Sequence, residues 1–238
     1  MSSVFLGLKS LKKEEKIDFV IANGENASQG FGISGEDYLS LISMGIDVIT
    51  SGNHIWQKED IFPFLDKMDN IIRPVNYPDG VPGKGWTIKD KVAVINAQGR
   101  VNMPSTDCPF RTVKAAVEKI RKTTKIIFVD FHAEETSEKE ALAFYLDGLV
   151  SCVAGTHTHV QTADEKILPE GTAYITDLGI TGVLDSVIGS REDLAIERAL
   201  TQLPIKSEVK QGKASLSGII VDVDDESGKA LSIRRIIR

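Results

Sequence analysis

The chain has 238 residues, enough for one sizeable core, and its 42% hydrophobic and 26% charged residues are the mix of an ordinary soluble globular domain. A net charge of −6, with 34 acidic and 28 basic residues scattered along the chain, argues against a protein that coats nucleic acid. Cys108 and Cys152 lack CxxC spacing, which disfavours a disulfide framework and fits a reducing cytoplasm; no run reaches the roughly 20 apolar residues of a membrane span, and no signal-peptide pattern opens the chain.

In chain order, "KSLKKEEK" (9–16) mixes both signs and reads as the solvated face of a helix. Short β-branched runs then recur. They are "IDFVIANG" (17–24), "GIDVITSGN" (45–53), "KVAVINAQG" (91–99), "TKIIFVDFH" (124–132), "LVSCVAGTH" (149–157) and "GTAYITDLG" (171–179). Amphipathic segments lie between them: 35–44, 112–123 and 137–148. Near-continuous apolar strands alternating with helices predict an α/β architecture whose sheet is covered on both faces. Ser34, three residues before Asp37, is the expected N-cap of the 35–44 helix. The tail, "SGIIVDVDDESGKALSIRRIIR", predicts two strands joined by a turn at "DDESG", an antiparallel hairpin. With no repeat and no linker, residues 1–238 read as a single domain.

Ligands in open α/β sheets gather beyond the C-terminal ends of strands. The first run delivers Glu25 and Asn26 there, the second Asn53 and His54, the fourth His132, and the fifth His157 and His159. All four histidines of the chain therefore stand at strand ends, with one glutamate and two asparagines. Neutral imidazoles with carboxylate and amide oxygens form a mixed N/O donor set suited to Mn²⁺, Fe or Zn²⁺. Seven groups exceed one tetrahedral shell. Two ions sharing a carboxylate, able to clamp a phosphoryl oxygen and generate hydroxide from water, account for the surplus. In H-x-H, alternate side chains on an extended segment point the same way, so both imidazoles can reach neighbouring ions. The G-x-G-x-x-G of Gly30, Gly32 and Gly35 is not a dinucleotide fingerprint. It does not directly follow its strand, and no acidic residue ends the next one.

The segments "DFVIANGENASQGFGI", "VITSGNHIWQKE", "FVDFHAEETSEK", "GTHTHVQTADEKILP" and "AYITDLGITG" resemble the calcineurin-like metallophosphoesterases. They are most similar to a bacterial subfamily of di-metal 2′,3′-cyclic-nucleotide phosphodiesterases. The resemblance implies a β-sandwich flanked by helices (αββα) with mixed sheets. It also implies two divalent ions, Fe or Mn with Zn as a third choice, and a cyclic-nucleotide or phosphodiester substrate. By the same resemblance Glu25 bridges the metals and Asn26 and His159 bind the first. Asn53, His132 and His157 bind the second, and His54 is the acid that protonates the leaving alkoxide. Partners implied are small molecules, with no membrane and no stable nucleic-acid binding; a homo-oligomer stays open.

The family opens with a strand ending in "GD", whose aspartate binds the first metal. "MSSVFLGLKSLKKEEK" looks like the helix after that strand, so the chain reads either as an N-terminally shortened form or as a variant that lacks the element, and Asp18 stands at the wrong end of its strand to substitute. A second reading follows: a regulatory or binding protein that keeps the pocket without the catalysis. Asp130 shares a pleat face with His132 and is a candidate for orienting a ligand. Arg73, Arg100 and Arg111 are candidates for holding a substrate phosphate. Thr158 and Gln161 read as structural.

Overall fold

The computed structural model describes residues 2–238. Helix α1 (Ser2–Glu14) precedes β1 (Ile21–Asn23), and α2 (Gly35–Ser43) leads to β2 (Val48–Thr50), which pairs with β1 in parallel. Both strands are shorter than the sequence pattern predicts. Asp47 caps the ladder at one end, its carboxylate accepting the Val20 N–H at 3.0 Å. At the other end Gly24 N–H donates to the Thr50 carbonyl at 2.9 Å, and the chain turns away to present Glu25. Ser34 caps α2 as expected, its hydroxyl accepting from Asp37 N–H at 3.1 Å.

A 3-10 turn (Glu59–Ile61) and α3 (Phe62–Lys67) follow, then β3 (Trp86–Lys89), β4 (Val92–Gln98), α4 (Pro109–Ile120), β5 (Ile126–His132), α5 (Thr136–Tyr145), β6 (Cys152–Thr156), β7 (Lys166–Ile167) and β8 (Ala173–Ile175). These six strands form one sheet in the order β3-β4-β5-β6-β8-β7. The inner four run parallel, while β3 and β7 join antiparallel at the edges. After an excursion carrying α6 (Glu192–Thr201), β9 (Ser217–Val223) and β10 (Ala230–Ile237) form the expected C-terminal hairpin.

Four layers result, the αββα arrangement. On the outer side, Leu8 of α1, Tyr38 and Leu41 of α2, Ile61 and Leu65 bury Ile49 of β2. Val48 and Ile72 meet Val94 of β4 between the sheets, and Ile219, Val221 and Ile233 of the hairpin pack toward Cys152 and Ala173 of β6 and β8. On the far side, Val113, Val117 and Ile120 of α4 and Leu142 and Ala143 of α5 cover Ile95, Ile127, Val129 and Val153. The β1–β2 pair and the six-stranded sheet are thus each covered by helices on one face and by strands on the other. Full burial of each Val, Leu or Ile side chain contributes about 1.5–3 kcal/mol before entropy is counted. Among the described residues, no helix is long and apolar enough to cross a membrane.

Candidate active site

The ends of β1, β2, β5 and β6 converge on a cleft of about 340 Å³ lined by Glu25, Asn26, His54, His132, His157 and His159. Asn53 completes the set, its Oδ1 lying 3.2 Å from His132 Nε2. All seven groups singled out in the sequence are therefore neighbours. A larger groove of about 540 Å³ along Lys84–Ile88 contains none of them.

The donor set invites a cation. Thr156 Oγ donates its single proton to Asp130 Oδ1 at 2.7 Å, so it can only accept from His132 Nδ1, 3.0 Å away. That fixes the proton of His132 on Nδ1 and leaves a lone pair on Nε2. Around that lone pair stand Asn53 Oδ1, Glu25 Oε1 at 3.6 Å and His157 Nδ1 at 3.1 Å. His157 turns its other nitrogen, Nε2, to Glu134 at 3.0 Å, which leaves its Nδ1 with a lone pair as well. Glu25 Oε2 is buried without any hydrogen-bond partner. Nearby, His159 Nδ1 donates to the Ile188 carbonyl at 3.1 Å. The Asn26 side-chain amide lies beside it, 3.1 Å from His159 Nε2. Buried acceptors facing acceptors are costly unless a positive charge lies among them. Among the described residues, no three His, Cys, Asp or Glu side chains are drawn into a closed metal shell. The residues present fit divalent ions.

Burial sets the electrostatics. It pushes the Glu25 carboxyl up to about 8, against hydrogen bonds from the His54 and Gly52 backbone that favour its charged form. Burial holds His132 well below the ordinary imidazole range, and the neighbouring His157 and Lys139 push it the same way. His54 is lowered by burial and then by His157 and His159. Imidazoles kept neutral in this way are ready to ligate.

Backbone geometry delivers the ligands. Gly52 is obligatory, because a Cβ there would lie 2.2 Å from Cδ2 of His132. The H-x-H segment is not extended as the alternation argument supposes. β6 ends at Thr156, and His157 and His159 have φ of 105° and 64°, a region unfavourable for residues with a Cβ. Between them, Thr158 N–H donates to Asp177 Oδ2 at 3.0 Å, and Asp177 is itself paired with buried Lys139. Gly155 leaves room for this, since a Cβ would meet the Lys139 chain at 2.9 Å and the Thr176 carbonyl at 1.8 Å.

Asp130 does act behind His132, but through Thr156, and it also accepts from Asn23 Nδ2 at 2.9 Å and from Thr50. The three arginines fall outside the site. Arg73 is buried against the Pro74 carbonyl, and Arg100 and Arg111 are exposed elsewhere; none lines the cleft. Gln161 is structural, tying the Gly218 carbonyl at 2.9 Å. Sequence reasoning passed over Glu134, Thr156 and the Lys139–Asp177 pair. The signals were present as an acidic residue two places after His132, a threonine before the H-x-H pair, and an aspartate ending the β8 run.

A protein from Bacillus subtilis (strain 168), a 2′,3′-cyclic-nucleotide 2′-phosphodiesterase, is 50% identical over 231 residues, spanning 95% of this chain and 88% of its own. A hypothetical protein from Thermus thermophilus has a solved structure that superposes with a TM-score of 0.93 at 37% identity, covering 100% of this chain and 93% of its own. A phosphatase from Mycoplasma pneumoniae gives 0.91 at 34% identity, over 99% of this chain and 87% of its own. The fold is of the metallophosphoesterase type. The YmdB-like protein family model matches residues 1–236, and the chain belongs to that family.

Proposed function

We propose that the chain is a divalent-metal-dependent phosphodiesterase that opens nucleoside 2′,3′-cyclic phosphates to 3′-nucleotides in the cytoplasm. One observation carries the reading: a buried carboxylate with an orphaned oxygen faces imidazole lone pairs, and a further, partly exposed imidazole stands beside them. The B. subtilis relative at 50% identity is named for the same reaction, which supports it.

Glu25, Asn26 and His159 would hold one ion, and Glu25, Asn53, His132 and His157 the other, with Mn or Fe as the expected metals. Bound there, the ions supply Lewis-acid neutralisation of the phosphoryl oxygens and acidify water. The chain's own contribution lies in proton handling and alignment. His54 Nδ1 lies 3.4 Å from Glu25 Oε1, and its side chain is 28% exposed, so its ring reaches the mouth of the cleft. As a water oxygen bonds to phosphorus, the bond to the ribose 2′-oxygen breaks, and His54 delivers a proton to that oxygen. Burial lowers His54, and an anionic phosphate beside it restores the protonated form.

The test is His54→Ala on two substrates with Mn²⁺ present. Turnover of a 2′,3′-cyclic nucleotide should fall by roughly 10²–10⁴. Turnover of bis(p-nitrophenyl) phosphate, whose leaving group needs no proton, should fall far less. Equal losses on both would remove His54 from the acid role. Metal binding without turnover of either substrate by the unaltered protein would favour the regulatory reading instead.

A further inference from the structure

We propose that Phe31 is the face on which the substrate's nucleobase stacks, which makes it a specificity-determining residue. The inference rests on the phosphodiesterase reading and extends it to the part of the substrate that does not react.

The direction comes from the chemistry. The oxygen that His54 protonates is the ribose 2′-oxygen, so the nucleoside lies on the His54 side of the phosphate. There the structure holds an exposed aromatic ring. The centroid of Phe31 is 4.3 Å from that of His54, with 45° between the planes, and Phe31 is 46% exposed. Isolated exposed apolar residues are common and need no explanation. This one adjoins the proton donor.

The loop that carries it is built to hold it still. Gly30 and Gly32 flank Phe31 with φ of 79° and 77°, conformations that a side chain would strain. Ser28 N–H donates to the Gly32 carbonyl at 2.9 Å, Gly30 N–H to Asn26 at 3.1 Å and Phe31 N–H to Ser28 at 3.2 Å. Three backbone bonds therefore brace the loop under the ring, one of them to Asn26, which is among the cleft's own residues. On Gly32 a Cβ would meet the Gln57 Cβ at 3.0 Å and the His54 carbonyl at 3.3 Å, so the loop rests directly on the His54 segment. Phe31 stands at the rim, next to Gly30 and His54, which line the cleft, and Ile188, 55% exposed, is an apolar residue of the lining itself. A bare phenyl face offers no hydrogen bonds to a base edge, so it selects for a stacking ring rather than for one base. Purines should be favoured over pyrimidines through their larger face.

The experiment compares kcat/KM of the metal-loaded enzyme on adenosine 2′,3′-cyclic phosphate and on methyl ribofuranoside 2′,3′-cyclic phosphate, which lacks a base. Stacking on one aromatic predicts that the adenosine substrate is preferred on the order of ten- to a hundredfold, chiefly through KM. Phe31→Leu, which keeps apolar bulk against His54, and Phe31→Ala should both bring that ratio toward one, whereas Phe31→Trp should keep it. Calorimetric binding of adenosine 3′-phosphate relative to ribose 3-phosphate should lose preference in the same variants. A ratio unchanged in Phe31→Leu and Phe31→Ala, or losses falling equally on both substrates, overturns the inference while the phosphodiesterase reading stands. Failure of the unaltered enzyme to turn over either substrate overturns that reading and the stacking role with it.

Discussion

Lys139 Nζ lies 2.9 Å from Asp177 Oδ2, with both side chains fully buried, and the same carboxylate accepts the Thr158 N–H between His157 and His159. Its other oxygen accepts from Gly179 N–H at 2.9 Å. A buried ion pair adds little stability over an apolar pair of equal volume, because desolvation offsets most of the attraction. What this pair supplies is position: it fixes the peptide that joins two histidines in unfavourable backbone conformations.

Asp177→Asn should therefore destabilise the fold by about 3–5 kcal/mol, since it leaves the Lys139 charge buried and unpaired. Adding Lys139→Met should restore most of that stability without restoring the metal site. Metal affinity in the double variant should remain down by roughly ten- to a hundredfold. Urea unfolding and titration calorimetry with Mn²⁺ measure the two effects separately. Recovery of both together would make the pair a packing element only.

Thr156 links His132 to Asp130, and a single methyl substitution tests the link. Thr156→Val keeps the shape, removes the acceptor from His132 Nδ1 and frees the ring to take the wrong tautomer. Metal affinity should drop roughly ten- to a hundredfold, with a stability cost of about 1–3 kcal/mol for the unpaired buried group. Thr156→Ser, which keeps the hydroxyl, should stay close to the parent protein in calorimetry. Equal affinities for the two variants would show that the hydroxyl plays no part.

The two thiols should differ sharply. Burial pushes Cys152 up to about 12, while Cys108 is only half-buried. At pH 8 the Cys152 thiolate is about one part in ten thousand, so a disulfide reagent should label one thiol per native chain and two after denaturation. Folding favours the neutral thiol here. Its contribution is intact below the unfolded value of 9.0 and is lost as pH rises toward 12. Rapid labelling of both thiols at pH 8 would show that the β6 layer opens.

Strand ends were legible in the sequence because polar residues follow apolar runs abruptly at Glu25, Asn53, His132 and His157. Two stacked layers were not legible from the pattern. Continuous apolar runs report burial on both faces, not whether helices or strands cover them. Nor were β3 and β7, which are short antiparallel edges, or α6, none of whose residues is buried. Lys139 was not singled out within the amphipathic 137–148 segment, because its partner stands 38 residues away in sequence on another element. The positive φ of His157 and His159 is imposed by contacts with Asp177 and Ile188, which no local pattern encodes.

Glu25 and Asn53 leave the short parallel pair, whereas His132 and His157 leave the six-stranded sheet. Cations held between them would act as a rivet through two plates that pack face to face. Neither plate alone offers a complete grip, so affinity arises only when both are assembled. Added metal should accordingly slow the parting of the plates during unfolding and leave the rate of initial collapse untouched.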